Sequence, residues 1–598
     1  MTWPSRKLPG TAGPPVCWRT KWATTTDSTI SRTVSLSTAK LPGTHRVHVS
    51  SSRLRFNPWT IATLVVALVV AVPILGIPWL ALFPRENIWP HLVSTVLPGY
   101  VLTTLGLMLG VTFGVLTMGV TSAWLVTMCR FPGRRIFEWA LLLPMAVPAY
   151  VIAYVYTDLL EYAGPMQNFV RYLFGWQSAA DYWFPEIRSL GGAIAMMSMV
   201  LYPYVYLLSR AAFLEQSVDL LDAGRTLGCG PLAAFFRVSL PMARPSIATG
   251  VALALMETLN DVGTVDFFAV HTLTLGIYDV WLNMGNIGGA AQIAMVMLIF
   301  VIVLLTIERQ SRRRHKHYQT SGRLKELPSH RLDGGRAYLA FVACLLPVAA
   351  GFVVPMGVLV SNSFRYFDES WTPEFLRYAF NSLALSSGAA VAAICIALLL
   401  AYGKRLVGGR LVASAVSFAS VGYAVPGAVL AIGVIIPLAG FDNTLDAFMR
   451  EHFGISTGLL FSGTVFAILF AYVVRFLAIA LGSVDSSLAK ITPAMDMAAR
   501  TLGHGPIATF FKVHFPLIRG GVLIGVLVVF VDCMKELPAT LILRPFNFDT
   551  LATYVYQFAS DELIEQASLG ALGIVVVGLI PVVVLSRLIT GTRAMQAI

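Results

Sequence analysis

Charge is what this sequence has least of. Only 12% of its 598 residues are Asp, Glu, Lys or Arg, about half the share of a soluble domain, and this deficit argues against an ordinary water-soluble fold. Cysteine is scarce as well. The six present (Cys17, Cys129, Cys229, Cys344, Cys395 and Cys533) are scattered without paired spacing, which excludes a disulfide framework and any patterned zinc site. No G-x-x-x-x-G-K-[ST] stretch occurs, so there is no phosphate-cradling loop of that kind. H-E-x-x-H is also missing, and with it the common zinc-protease signature. No secretory signal with a small-residue cleavage site is found, because the first apolar run is already long enough to span a membrane. Residues 1–55 nearly lack acids, Asp27 standing alone among Ser, Thr and basic residues.

What is abundant is apolar sequence, 56% of the chain. Runs of roughly 20 apolar residues suffice to cross a bilayer. Six such runs are read near 60–83, 98–127, 136–157, 190–212, 246–267 and 288–307, and six more near 337–360, 379–402, 412–437, 457–480, 520–543 and 568–589. The expected fold is therefore an all-α polytopic membrane protein of about 12 helices, in two pseudo-symmetric six-helix halves. The expected domains are a basic tail at 1–55, a first half at 56–307, a basic linker at 308–336 and a second half at 337–598. The tail is expected to be disordered or to reflect a start read too early, with an organelle transit peptide as the alternative.

Net charge is +12, but its placement explains it. Arg130, Arg134 and Arg135 follow the second run, Lys404, Arg405 and Arg410 occupy the matching place later, and the linker reads "ERQSRRRHKHYQTSGRLK". Asp158, Glu161, Asp181 and Glu186, then Asp442, Asp446 and Glu451, then Asp561, Glu562 and Glu565 fill the opposite loops. All basic loops face the cytoplasm if both termini do. The positive charge is thus a matter of topology, and no nucleic-acid partner is expected.

One stretch appears twice. "AGRTLGCGPLAAFFRVSLPMARP" begins at Ala223 and "AARTLGHGPIATFFKVHFPLIRG" at Ala498, with Gly228 and Gly503 separated by 275 positions (503 − 228). Each copy lies between the fourth and fifth runs of its half. Gly228 and Gly230, like Gly503 and Gly505, break a short helix, and Pro231 or Pro506 suits the first turn of another. Two short helices around a tight turn make a compact knob. Duplication of a mere connector is the plainer explanation; a knob that must fit a partner explains why the copies stay so alike.

Charges inside spans are costly and often functional. Glu257 and Asp261 lie in the fifth run, and Asp532 and Glu536 occupy the same places 275 residues later. Their i, i+4 spacing predicts one helical face bearing both carboxylates. Two such faces would line an oxygen-rich path for a hard cation. Alternatively the acids pair with basic groups, Lys535 with Asp532 at i, i+3, or Arg519 or Arg544 from the ends, as a network that packs helices. Both readings stay open, and no metal site is assigned. Asp266 lies near the outer end of that path. His271, Tyr278 and Tyr554 lie near the same face, where tyrosines usually act as interfacial anchors.

The repeated stretch resembles the loop of permease subunits in binding-protein-dependent ABC importers, whose pattern is Glu-Ala-Ala, three residues, Gly, nine residues, Ile-x-Leu-Pro. Here the first copy reads Asp222-Ala223-Gly224, Gly228 and Val238-Ser239-Leu240-Pro241. The second reads Met497-Ala498-Ala499, Gly503 and Val513-His514-Phe515-Pro516, with Asp496 one place early. More narrowly, "METLNDVGTVDFF" from Met256 and "DCMKELPATLILRPFNFDTLATYVY" from Asp532 resemble the fused permeases of ferric iron importers. The resemblance covers essentially everything after residue 55 and implies a type I importer permease fold.

It also implies a function. The chain would be the non-enzymatic membrane subunit, carrying ferric iron delivered by a periplasmic or surface binding protein across the inner membrane of a bacterium. Two copies of a separate ATPase, which use ATP and Mg, would dock on the loops through Asp222, Ala223, Gly224, Gly228, Gly230 and Pro241, and through Ala498, Ala499, Gly503, Gly505 and Pro516. No cofactor is expected in this chain. Thiamine, a polyamine or an organophosphonate are alternative cargoes. A proton-coupled secondary transporter also has two six-helix halves and intramembrane acids, but it has no need of a duplicated knob.

Overall fold

The computed structural model describes residues 58–214, 216, 222, 223, 226–228, 230–313 and 330–596. The tail at 1–55, Gly224 in the first repeated loop and residues 314–329 of the linker lie outside the described residues. The protein is an all-α polytopic membrane protein. Among the described residues, eleven helices are long and apolar enough to cross a membrane, twelve if one bent pair is counted as a span.

The first set comprises α1 (Pro58–Leu82), α2 (Leu97–Met128), α3 (Arg134–Ala140), α4 (Ala149–Leu160), α5 (Leu190–Leu214), α6 (Leu240–Asn260), α7 (Gly263–Phe267) and α8 (Ile287–Arg313). The second comprises α9 (Gly335–Val348), α10 (Val354–Arg365), α11 (Pro373–Val407), α12 (Arg410–Ala419), α13 (Gly427–Phe453), α14 (Val465–Leu488), α15 (Pro493–Thr501), α16 (Phe515–Met534), α17 (Pro538–Leu543) and α18 (Ile564–Gln596). Strands among the described residues are limited to Cys129–Arg130 and His330–Arg331, paired in parallel.

Proline explains where the helices deform. Residues before proline avoid the helical region, and Val147 before Pro148 and Val425 before Pro426 are both extended. The third span of the first half therefore breaks, with a 91° bend between its two pieces, where the apolar run alone predicts a continuous helix. Three π-helical turns, Ala349–Val353, Phe235–Ser239 and Phe510–His514, each end two residues before a proline: Pro355, Pro241 and Pro516. A proline inside a helix has no N–H to donate, and its ring crowds the carbonyl four residues back. Widening the preceding turn by one residue relieves that clash.

The first helix of the first set packs mainly on the second set, and the first span of the second set, though seated on α18 through α10, also reaches across. Helix α1 lies against α11, α12 and α13, while α9 and α10 lie against α2, α3 and α4. Small residues permit the close approach, as is usual between membrane helices. A Cβ at Gly433 would stand 2.1 Å from the carbonyl oxygen of Pro73, and one at Gly403 would stand 2.0 Å from Thr63 Oγ1. Gly433→Val is accordingly expected to destabilise the subunit by about 2 kcal/mol through overpacking, read as a lower thermal unfolding midpoint in detergent. An unchanged midpoint would mean that α1 is not seated on α13 this closely.

Candidate functional site

The fifth spans end earlier than the sequence spacing suggests. Helix α6 stops at Asn260 and α16 at Met534, so Asp261 and Glu536 stand beyond the helices that carry Glu257 and Asp532. The i, i+4 pairs do not share one continuous helical face. Instead Asp261 and Glu536 serve as matched caps. Asp261 Oδ1 accepts the Thr264 N–H of α7 at 2.7 Å, and Glu536 Oε1 accepts the Ala539 N–H of α17 at 3.3 Å. Side-chain oxygens at such positions satisfy amides that have no partner within the helix.

All four acids nevertheless converge on one cavity between the two halves, about 760 Å³ with its open mouth included. Its wall also includes Tyr150, Tyr204, Asn260, Arg475 and Lys535, together with the broken third span at Val147 and Pro148. Lys535 Nζ lies 3.0 Å from Asp532 Oδ1, the pair anticipated from i, i+3 spacing. Arg544 does not reach the cavity acids; it pairs with Asp549.

The residue that sequence reasoning missed is Arg475. It lies in the middle of α14, is 3% exposed, and sits 3.4 Å from Glu536 Oε1. Its Nη1 also donates to Asn260 Oδ1 at 2.7 Å, and that oxygen accepts the Gly427 N–H at 2.7 Å as well. The N-terminus of α13 is thus capped from the opposite half, which its own Pro426 cannot do. Tyr423 adds a second tie by donating to Glu257 Oε1 at 3.1 Å. A lone arginine inside the apolar string "AYVVRFLAIA" was the available signal.

Nearby, Tyr278 is buried and donates to the Pro538 carbonyl, and Tyr554 is buried among Phe375, Tyr378 and Phe558. Neither is an exposed interfacial anchor. Asp266 accepts a hydrogen bond from Tyr556, and His271 packs beside Tyr100. Among the described residues, no three His, Cys, Asp or Glu side chains are grouped to hold a metal ion.

The repeated loops form the second feature. Gly228 and Gly503 have φ of +80° and +78°, the left-handed region that suits glycine. In the second copy, α15 ends at Thr501, Gly503 N–H donates to Arg500 O, and Pro506 opens the next helical turn. Thr509 N–H closes on Gly505 O at 2.9 Å, as Ala234 N–H closes on Gly230 O at 2.8 Å. Large apolar side chains stand outward at matching places: Leu227 and Leu502 are 85% and 76% exposed, Phe236 and Phe511 62% and 63%. Phe235 and Phe510 turn inward, against Trp124 and Tyr402. Asp222 and Ala223 are exposed, as is Ala498, whereas Ala499 is buried. Pro241 and Pro516 sit at the start of α6 and α16.

Residues 115–316, from within α2 to past α8, match the family described as the binding-protein-dependent transport system inner membrane component. The Fe(3+)-transport system permease protein FbpB 2 of Haemophilus influenzae is 25% identical over 490 residues, 81% of this chain and 88% of that relative. The molybdenum transport system permease protein ModB of Escherichia coli is 28% identical over 198 residues, 32% of this chain and 83% of its own length. The sulfate transport system permease protein CysT of Synechococcus elongatus is 26% identical over 246 residues, 39% of this chain and 85% of its own. Residues 115–316 thus match the family of binding-protein-dependent transport system inner membrane components, and over most of its length the chain is similar to a permease subunit.

Proposed function

We propose that this chain is the translocation subunit of an ATP-driven ferric iron importer. The observation that carries the reading is the pair of glycine turns, 275 residues apart, each presenting exposed Leu and Phe side chains on a short-helix knob. Two such knobs suit two copies of an ATPase, one under each half, with Mg and ATP consumed there. The knobs and both chain termini then face the cytoplasm, and a solute-binding protein delivers the cargo at the opposite surface of a bacterial inner membrane. Iron as cargo is supported by the likeness to an Fe(3+) permease along 81% of the chain and by four carboxylates around one cavity.

The test is uptake of radioactive ferric iron by vesicles holding the purified chain, with and without its ATPase, ATP and loaded binding protein. Uptake is expected only with all three. Uptake driven by an ion gradient alone would overturn the importer reading. ATP-dependent uptake of thiamine or a polyamine in preference to iron would replace the cargo while leaving the mechanism in place.

A further inference from the structure

The C-terminal end of α11 reaches the second knob through Tyr402 and Arg405 and the end of α14 through Lys404. Tyr402 donates to the Pro506 carbonyl at 2.7 Å, Lys404 pairs with Asp485 at 3.0 Å, and Arg405 joins three elements at once. Arg405 Nη1 donates to Leu488 O at 2.9 Å, where α14 ends, and Nη2 donates to Ile491 O at 2.9 Å. Nη2 and Nε both donate to Asp496 Oδ2, at 2.6 and 3.2 Å. Asp496 lies on α15, within the knob. Its other oxygen lies 2.7 Å from Nε2 of His514, a fully buried residue just before α16, in close contact without hydrogen-bond alignment.

The sequence of the first half lacks counterparts of Asp496 and His514. Positions 275 earlier hold Leu221 in place of Asp496 and Ser239 in place of His514. Arg130, the counterpart of Arg405, is exposed and lies in the two-residue strand. Among the described residues there, Gln216 Nε2 donates to the Ser239 carbonyl at 2.8 Å.

Helices α14 and α16 are the ones that carry the cavity residues Arg475 and Asp532. At about 1.5 Å per residue, α16 runs about 30 Å from His514 to the cavity. We infer that Arg405, Asp496 and His514 form a latch that fixes the second knob to both helices, so that a stroke on this knob moves the cavity wall. Arginine suits the task because its planar fork bonds a carboxylate and two carbonyls together, which a lysine ammonium cannot reproduce. These three are positioning residues, since none touches the cavity.

The inference rests on the ATP-driven reading, and the experiment separates the two. Full complexes in vesicles are assayed for ATP hydrolysed and iron transported in the same sample. If the wild-type complex transports without its ATPase, the importer reading fails and the latch with it. If the wild type couples normally, Asp496→Ala is expected to hydrolyse ATP near the wild-type rate while iron per ATP falls about fivefold or more, within the usual range of coupling between distant sites. Asp496→Glu is expected to recover most of that ratio. Should Asp496→Ala fold poorly, Arg405→Lys keeps the charge and is expected to lower the ratio likewise. A wild-type ratio in either variant, or loss of ATPase binding in place of loss of coupling, would overturn the latch.

Discussion

Arg475→Met is expected to destabilise the subunit by about 3–5 kcal/mol, the usual consequence of removing one partner from a buried ion pair. Glu536 is 4% exposed, and without Arg475 its carboxyl would stand there without its ion-pair partner. Asn260 would lose a donor in the same step, weakening the cap on α13. The double variant Arg475→Met with Glu536→Gln removes the stranded charge yet leaves an amide oxygen to accept the Ala539 N–H. It is expected to recover more than half of the loss. The measurement is thermal unfolding in detergent at one fixed scan rate, because large membrane proteins commonly unfold irreversibly. Equal midpoints for the wild type and Arg475→Met would show that Glu536 is neutral in the folded state, and that the pair is not ionic.

Valine at Gly228 or Gly503 is expected to lower iron uptake by about tenfold or more, which needs only about 1.4 kcal/mol at the limiting step. Left-handed backbone costs an L-residue about 1–2 kcal/mol, and β-branched side chains tolerate it worst. No atom lies within 4 Å of where either Cβ would stand. The effect is therefore strain in the turn itself, not collision with the bundle, and the unfolding midpoint should hold. ATP hydrolysis should continue while uptake falls. Gly505 is the control, because its φ of −70° suits any residue and its Cβ site is also open. Gly505→Ala should transport at the wild-type rate. Normal uptake by both valine variants would mean that the turns are connectors and not docking surfaces.

The parts of the molecule that were legible in the sequence are those written locally. Apolar runs announce spans because each must be long and continuous, and the repeat announces the glycine turns because αL backbone admits few residues. The four acids stand out against apolar neighbours. The breaks at Val147 and Val425 were less legible, since a proline inside a membrane helix is often tolerated and only packing decides. The ends of α6 and α16 depend on Asp261 and Glu536 capping the next helix, which i, i+4 spacing cannot distinguish from stacking on one face. Arg475 finds Asn260 across 215 residues, and nothing in either neighbourhood names the other. The same holds for Arg405 and Asp496, 91 residues apart.

The exchange of first helices has a consequence for how the chain is made. Helix α1 ends at Leu82, yet α13, on which it rests, begins at Gly427, so 345 residues (427 − 82) separate them. At about 5–20 residues per second of synthesis, the earliest helix waits roughly 20–70 s in the lipid before its seat emerges from the ribosome. The packing of α1 is completed only once the second half is made, and fusion in one polypeptide keeps that seat within reach of its own α1.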